Sequence, residues 1–109
     1  MIQLRVSGLR SSLKQVVDDV EQAENDYFDT LKTILQRSDS KSRPAKAGSG
    51  ETPYKTGKAA RGWKRTPQGV RNTVEYINRL DKGWSNQAPS GFTKQAIRRT
   101  DRIVQRKIK

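Results

Sequence analysis

The chain has 109 residues, of which 31% are hydrophobic and 31% charged, with 23 Lys/Arg against 11 Asp/Glu and a formal net charge of +12. That length suits one small domain with a thin core, and the positive excess points towards a polyanion, an acidic partner or an anionic membrane surface. With no cysteine and no histidine, the sequence excludes disulfides, thiolate and imidazole metal sites, and any Ser-His or Cys-His nucleophile pair.

The charge is uneven. Residues 1–40 carry 5 Lys/Arg and 7 Asp/Glu, whereas residues 41–109 carry 18 and 4. A mildly acidic first part is followed by a strongly basic remainder. The opening MIQLRVSGL lacks the long apolar run of a signal peptide, and no stretch is as long and apolar as a membrane span. The expectation is a soluble protein made in a cytoplasm.

In chain order, Ile2, Leu4 and Val6 alternate with Gln3, Arg5 and Ser7. This predicts a short strand with one buried face, and Ser7 then stands where a helix N-cap belongs. From Leu9 to Leu35 the apolar residues are Leu9, Leu13, Val16, Val17, Val20, Ala23, Tyr27, Phe28, Leu31, Ile34 and Leu35. Steps of three and four mark one face of a helix. No Gly or Pro interrupts the run, so a single helix of about 40 Å is expected. Its stripe forms the core, and the part from Tyr27 to Leu35 is a candidate meeting place for another subunit.

Residues 38–55 read SDSKSRPAKAGSGETPYK. Little there can be buried, which predicts a long mobile loop. Thr56-Gly57 reads as a turn into a strand centred on Trp63, and Pro67-Gln68-Gly69 as a second turn. Residues 70–76 alternate Val70, Asn72, Val74 and Tyr76 against Arg71, Thr73 and Glu75, the pattern of a second hairpin strand. Asn72 falls on the apolar side, where it is expected to satisfy a nearby backbone group.

Tyr76, Leu80 and Trp84 are four apart, predicting one or two helical turns stopped at Gly83. A loop over residues 85–91 follows. Ser90 is placed to cap a last helix from Phe92 to Ile108, with Phe92, Ala96, Ile97, Ile103, Val104 and Ile108 on one face. Lys94, Arg98, Arg99, Arg102, Arg106, Lys107 and Lys109 occupy the other. The predicted fold class is α+β. A long N-terminal helix and a C-terminal helix pack on a small antiparallel sheet, in one domain over residues 1–109 with a mobile loop over 38–55.

Catalytic chemistry is hard to find. The carboxylates Asp18, Asp19 and Glu21 point in different directions on a helix, and Glu75 and Asp81 stand isolated. Gly48-Ser49-Gly50 has no strand before it, as a phosphate loop requires. No enzyme, cofactor or metal is expected. Polyanion contact is the better candidate, through Lys41, Arg43 and Lys46 in the loop and Arg98, Arg102 and Arg106 in the last helix. The hairpin adds Arg61, Lys64, Arg65 and Arg71. Trp63, Tyr76 and Trp84 are of a type that stacks on bases. Their apolar phase instead favours core or subunit contact, and Tyr27, Leu31, Trp63 and Trp84 are the candidate subunit-interface residues.

One ordered series of short motifs stands out. It runs Thr56-Gly57-x-Ala59-x-x-Gly62-Trp63, Val70-x-Asn72-x-Val74-x-Tyr76, Leu80-Asp81-x-Gly83 and Ser85-x-Gln87-Ala88-Pro89-x-Gly91-Phe92 before a helix. In this order, over nearly the whole chain, it resembles the tail-component family of long-tailed bacteriophages, small head–tail joining, neck or tail-completion proteins. Members often have Leu-Arg and Ser where this chain has Ala59-Ala60-Arg61-Gly62, and Glu where it has Asp81. The resemblance implies a structural protein of the virion, made in the host cytoplasm and placed at the head–tail junction as neck, tail-completion or tail-terminator protein. It implies a homo-oligomeric ring, hexameric by preference or dodecameric, beside head-completion and tail proteins, with genomic DNA passing through non-specifically. A ring needs two different faces on each subunit, which an acidic helix and a basic hairpin and last helix would supply. The alternative is a stand-alone basic nucleic-acid-binding protein, although no helix-turn-helix or similar reading head is evident.

Overall fold

A computed structural model describes residues 1–6, 8–37, 48–53, 58–66, 69–83 and 91–108, the last two of these as backbone only. In order, the elements are β1 (Ile2–Leu4), α1 (Leu9–Lys14), α2 (Val20–Gln36), α3 (Lys58–Arg61), β2 (Trp63–Thr66), β3 (Gly69–Asn72), α4 (Ile77–Asp81) and α5 (Thr93–Ile108). The fold mixes helix with a three-stranded antiparallel sheet of order β1-β3-β2.

Period-two alternation fixes the sheet's two faces. Val70 and Trp63 turn inwards with the half-buried Ile2 and Leu4, while Gln3, Lys64 and Arg71 turn to solvent. The β1–β3 approach is close: a Cβ at Gly69 would overlap the Leu4 carbonyl oxygen. Helix α2 lies on the inner face and is the central element, meeting α1, α3, β2, β3 and α5. Its Tyr27, Phe28, Leu31, Ile34 and Leu35 join Ala59, Trp63, Val70, Ile77, Phe92 and Ala96 in one core.

The long N-terminal helix is in fact two. After Lys14 the chain turns, and α2 starts afresh at Val20. Two β-branched valines and two aspartates in sequence weaken the helix at this point. Asp19 leaves helical geometry and its carboxylate accepts from the Gln22 amide at 3.0 Å, an N-cap that the uninterrupted apolar rhythm concealed. The break folds α1 against α2, buries Leu13 and leaves Val16 exposed, although the helical stripe had placed Val16 in the core.

Two other boundaries move for local reasons. β3 ends at Asn72 instead of running to Tyr76. The Asn72 side-chain oxygen accepts from the Val74 amide at 2.9 Å, an Asx turn that bends the chain out of the ladder. Its amide nitrogen donates to the Ala59 carbonyl at 2.7 Å, which is the backbone satisfaction expected of a polar residue on an apolar phase. The predicted loop also contains docked structure. Gly50, Thr52 and Pro53 are buried, and Thr52 receives the Trp63 indole N–H at 2.8 Å. Residues 38–47 and 54–57, with Ser90 and Thr56-Gly57, lie outside the described residues.

Helices α2 and α5 are pinned by a buried hydroxyl. Tyr27 donates to the Asp101 carboxylate at 2.5 Å. Burial, this hydrogen bond and the Asp101 charge, in that order, raise the Tyr27 phenol above its usual range. The folded chain therefore holds this proton more tightly than the unfolded chain does. Stability from it is complete below the unfolded value of about 10 and falls above it by about 1.4 kcal/mol per pH unit. Tyr27→Phe loses the hydrogen bond, about 1.5–3 kcal/mol to a charged acceptor, but also lacks this slope. Denaturant midpoints of the two proteins should converge as pH rises above about 10. Parallel curves would exclude Tyr27 as their source.

Candidate nucleic-acid interface

Helix α5 begins with a cap supplied from a distance. The Asp81 carboxylate, at the end of α4, accepts from the Phe92 amide at 3.1 Å, the Thr93 amide at 3.0 Å and the Thr93 hydroxyl at 2.8 Å. Asp81 is thus not the isolated acid suggested by its sequence neighbours. Gly91 makes the approach possible: its φ is +85°, and a Cβ there would collide with the Asp81 carbonyl oxygen. Asp81→Ala should lower stability by about 1–2 kcal/mol as the capping acceptor is lost. Asp81→Asn, which keeps an oxygen in place, should lose less. Guanidinium unfolding of the three proteins measures this, and indistinguishable midpoints would refute the cap.

From this fixed start, 16 residues of α5 carry two edges and two faces. Ala96 and Thr100 point into the protein, and Thr100 satisfies its own hydroxyl on the Ala96 carbonyl at 2.8 Å. Ile97, Ile103 and Val104 are half-buried against the core. The outward face presents Lys94, Arg98, Arg102 and Arg106, all exposed. Four-residue steps on a helix put successive members about 6 Å apart on one side, a row of about 18 Å. Among the described residues none of the four makes an ion pair.

Beside the row is a groove lined by Gly48, Gln95, Arg98, Asp101 and Arg102. Among the described residues that line it the acid is Asp101, which is already engaged by the Tyr27 hydroxyl. Guanidinium groups in this setting suit phosphate oxygens, which they grip in pairs of hydrogen bonds without reading base identity.

Two of the other cations predicted with these, Arg99 and Arg65, are spent internally. Arg99 donates to the Ser49 carbonyl at 3.2 Å and lies 3.7 Å from Glu51, which also meets Arg37. These contacts tie residues 48–53 to α5. Arg65 stacks over the Phe28 ring at 4.8 Å, donates to Asn25 at 3.0 Å and to the Thr66 and Gly69 carbonyls, and lies 3.7 Å from Asp29. It clamps the hairpin to α2. Lys41, Arg43 and Lys46 lie outside the described residues, as do the side chains of Lys107 and Lys109.

The candidate subunit contacts are corrected by burial. Tyr27 and Trp63 are 1% exposed and Leu31 is 0% exposed, so all three belong to the chain's own core and offer no surface to a neighbour. Trp63 meets Phe92 edge-on at 6.4 Å, which also removes it from base stacking. Trp84 lies outside the described residues. Sequence reasoning left Lys94 out of the polyanion-facing set, although its four-residue spacing from Arg98 was visible.

No family model, curated protein or solved structure matches this chain. Its surface chemistry is therefore the guide to its role. Among the described residues, no group of acidic side chains is arranged to hold a metal ion, and no helix is long and apolar enough to cross a membrane.

Proposed function

We propose that the chain is a non-enzymatic structural subunit of a ring at the head–tail junction of a long-tailed phage particle, joining tail to head and lining the passage for DNA. The observation that carries this reading is the exposed row Lys94, Arg98, Arg102 and Arg106 on α5, free of ion pairs among the described residues. Such a row attracts phosphate without choosing sequence. Lys41, Arg43 and Lys46 would add to the same lining.

The motif residues behind the family resemblance give further support. Asn72 closes a backbone turn, Asp81 caps a helix whose first residue lies twelve positions on, and Gly91 admits that cap. These are joints of a scaffold, as a structural role requires. Ring assembly, hexameric by preference, would also supplement a core built around a single central helix.

The test is electron microscopy of particles from a parent phage with an early stop codon in this gene. Full heads beside detached or abnormally ended tails are the expected result, and would identify the layer as neck, tail completion or terminator. Normal infectious particles would overturn the reading in favour of a stand-alone nucleic-acid-binding protein.

A further inference from the structure

The strand register builds a second cationic patch, remote in sequence from α5. On the outer face of the sheet, Lys64 of β2 stands directly opposite Arg71 of β3. Gln3 of β1 stands opposite Arg71 on its other side, and Arg5 follows, exposed, just beyond β1. Like charges directly opposite one another destabilise a sheet pair. No Asp or Glu occurs in any of the three strands. Among the described residues, Arg5, Lys64 and Arg71 make no ion pair. This face has a like-charge cost that an anionic partner would remove.

A surface of opposite chemistry is formed where α1 turns into α2. Residues 15–21 contain Asp18, Asp19 and Glu21 and no cation. Asp18 and Glu21 are exposed and without an ion pair among the described residues, while Asp19 is held by its cap. The helix break also turns out Val16, 58% exposed. An exposed apolar side chain followed along the chain by exposed acids suits a basic surface, because Lys and Arg offer aliphatic stems as well as charge.

We propose that the outer sheet face of one copy receives the α1–α2 corner of a second copy of this chain. Arg5, Lys64 and Arg71 meet Asp18 and Glu21, and Val16 lies on the basic side chains' stems. This deepens the ring reading and rests on it for its setting. Two different patches make the contact heterologous, so copies add head to tail and a closed ring follows where the rotation permits. It leaves the α5 row free for DNA.

Sedimentation velocity of the full chain tests the contact at about 50 mM and about 500 mM salt, where screening differs strongly. The wild type should form oligomers that dissociate at the higher salt. Lys64→Glu/Arg71→Glu and Asp18→Lys/Glu21→Lys should each be monomeric alone. Mixed, they should associate again, because the acidic corner of the first meets the unaltered basic face of the second and the two reversed patches are again opposite in charge; this also shows that both variants fold. A wild-type monomer, oligomers unaffected by the substitutions, or a mixture that stays monomeric would overturn the contact. So would loss of DNA binding in Lys64→Glu/Arg71→Glu with association intact, which would give the face to nucleic acid. A monomer combined with detached tails in the stop-codon particles overturns this contact alone. Head-to-tail association combined with normal particles overturns the head–tail reading alone.

Discussion

Trp63→Ala is expected to unfold much of the population at 25 °C. Among the described residues Trp63 is the largest fully buried side chain. It sits edge-on to Phe92, its indole N–H donates to Thr52 at 2.8 Å, and its carbonyl accepts from the Gln36 side chain at 3.0 Å. Truncating a buried tryptophan to alanine costs about 3–5 kcal/mol through lost transfer energy and the cavity left behind. The Thr52 hydroxyl oxygen also loses its donor in a buried site. Small domains have about 5–15 kcal/mol in total, and a chain that is 31% hydrophobic belongs near the low end. Trp63→Phe keeps most of the volume and loses only the N–H, about 1–2 kcal/mol. Guanidinium titration followed by far-ultraviolet circular dichroism should order the proteins wild type, Phe, Ala. A small effect of Trp63→Ala would instead mean that the indole contributes little to the core.

Much of this fold was legible because its signals are local. The alternation of Ile2, Leu4 and Val6 gave β1, and the Val70–Asn72 phase gave the inner face of β3. The three- and four-residue steps around Phe92 to Ile108 gave α5 to within a residue. Asn72 was legible for the same reason: a polar side chain on an apolar phase must find partners nearby. The break between α1 and α2 was not, because an apolar stripe can run through a turn when both helices bury it against the same core. Only Asp19 with Gln22 at the capping spacing hinted at it.

The candidate site divides the same way. Helical spacing exposed the Arg98–Arg102–Arg106 row, since a period can be read from one segment. It was silent on which cations are spent within the protein. Arg65 shares the inward phase of Trp63, and Arg99 stands next to the exposed Arg98; their tertiary contacts with Asp29 and Glu51 cannot be read from either segment. Asp81 was misjudged because its partners are eleven and twelve residues away, beyond any local capping rule. The opposition of Lys64 and Arg71 depends on strand register, which composition does not set. The subunit-interface assignments for Tyr27, Leu31 and Trp63 failed because large apolar residues suit a core and an interface equally well.

Arg98→Glu with Arg102→Glu should abolish the response of α5 to phosphate while leaving the fold intact. Both side chains are exposed, neither makes an ion pair among the described residues, and the inward face of the helix is unaltered. The row changes from four positive charges to none in net. Four phosphate contacts give a duplex affinity that varies with salt at a logarithmic slope of about −3.6, or roughly a hundredfold loss between 50 and 200 mM. The reversed chain should show almost no slope and bind at least about a hundredfold more weakly at the lower salt. Anisotropy of labelled duplexes of two unrelated sequences measures both quantities. Equal affinity for the two sequences is expected, because phosphate contacts position without specifying. Lys64→Glu/Arg71→Glu provides the matched control, with the same charge change on a different face. If it alone flattened the slope, the sheet and not α5 would face the nucleic acid. In a phage background, the Arg98 and Arg102 reversals should reduce titre through faulty joining or leakage of DNA, and unchanged titre would remove α5 from the channel wall.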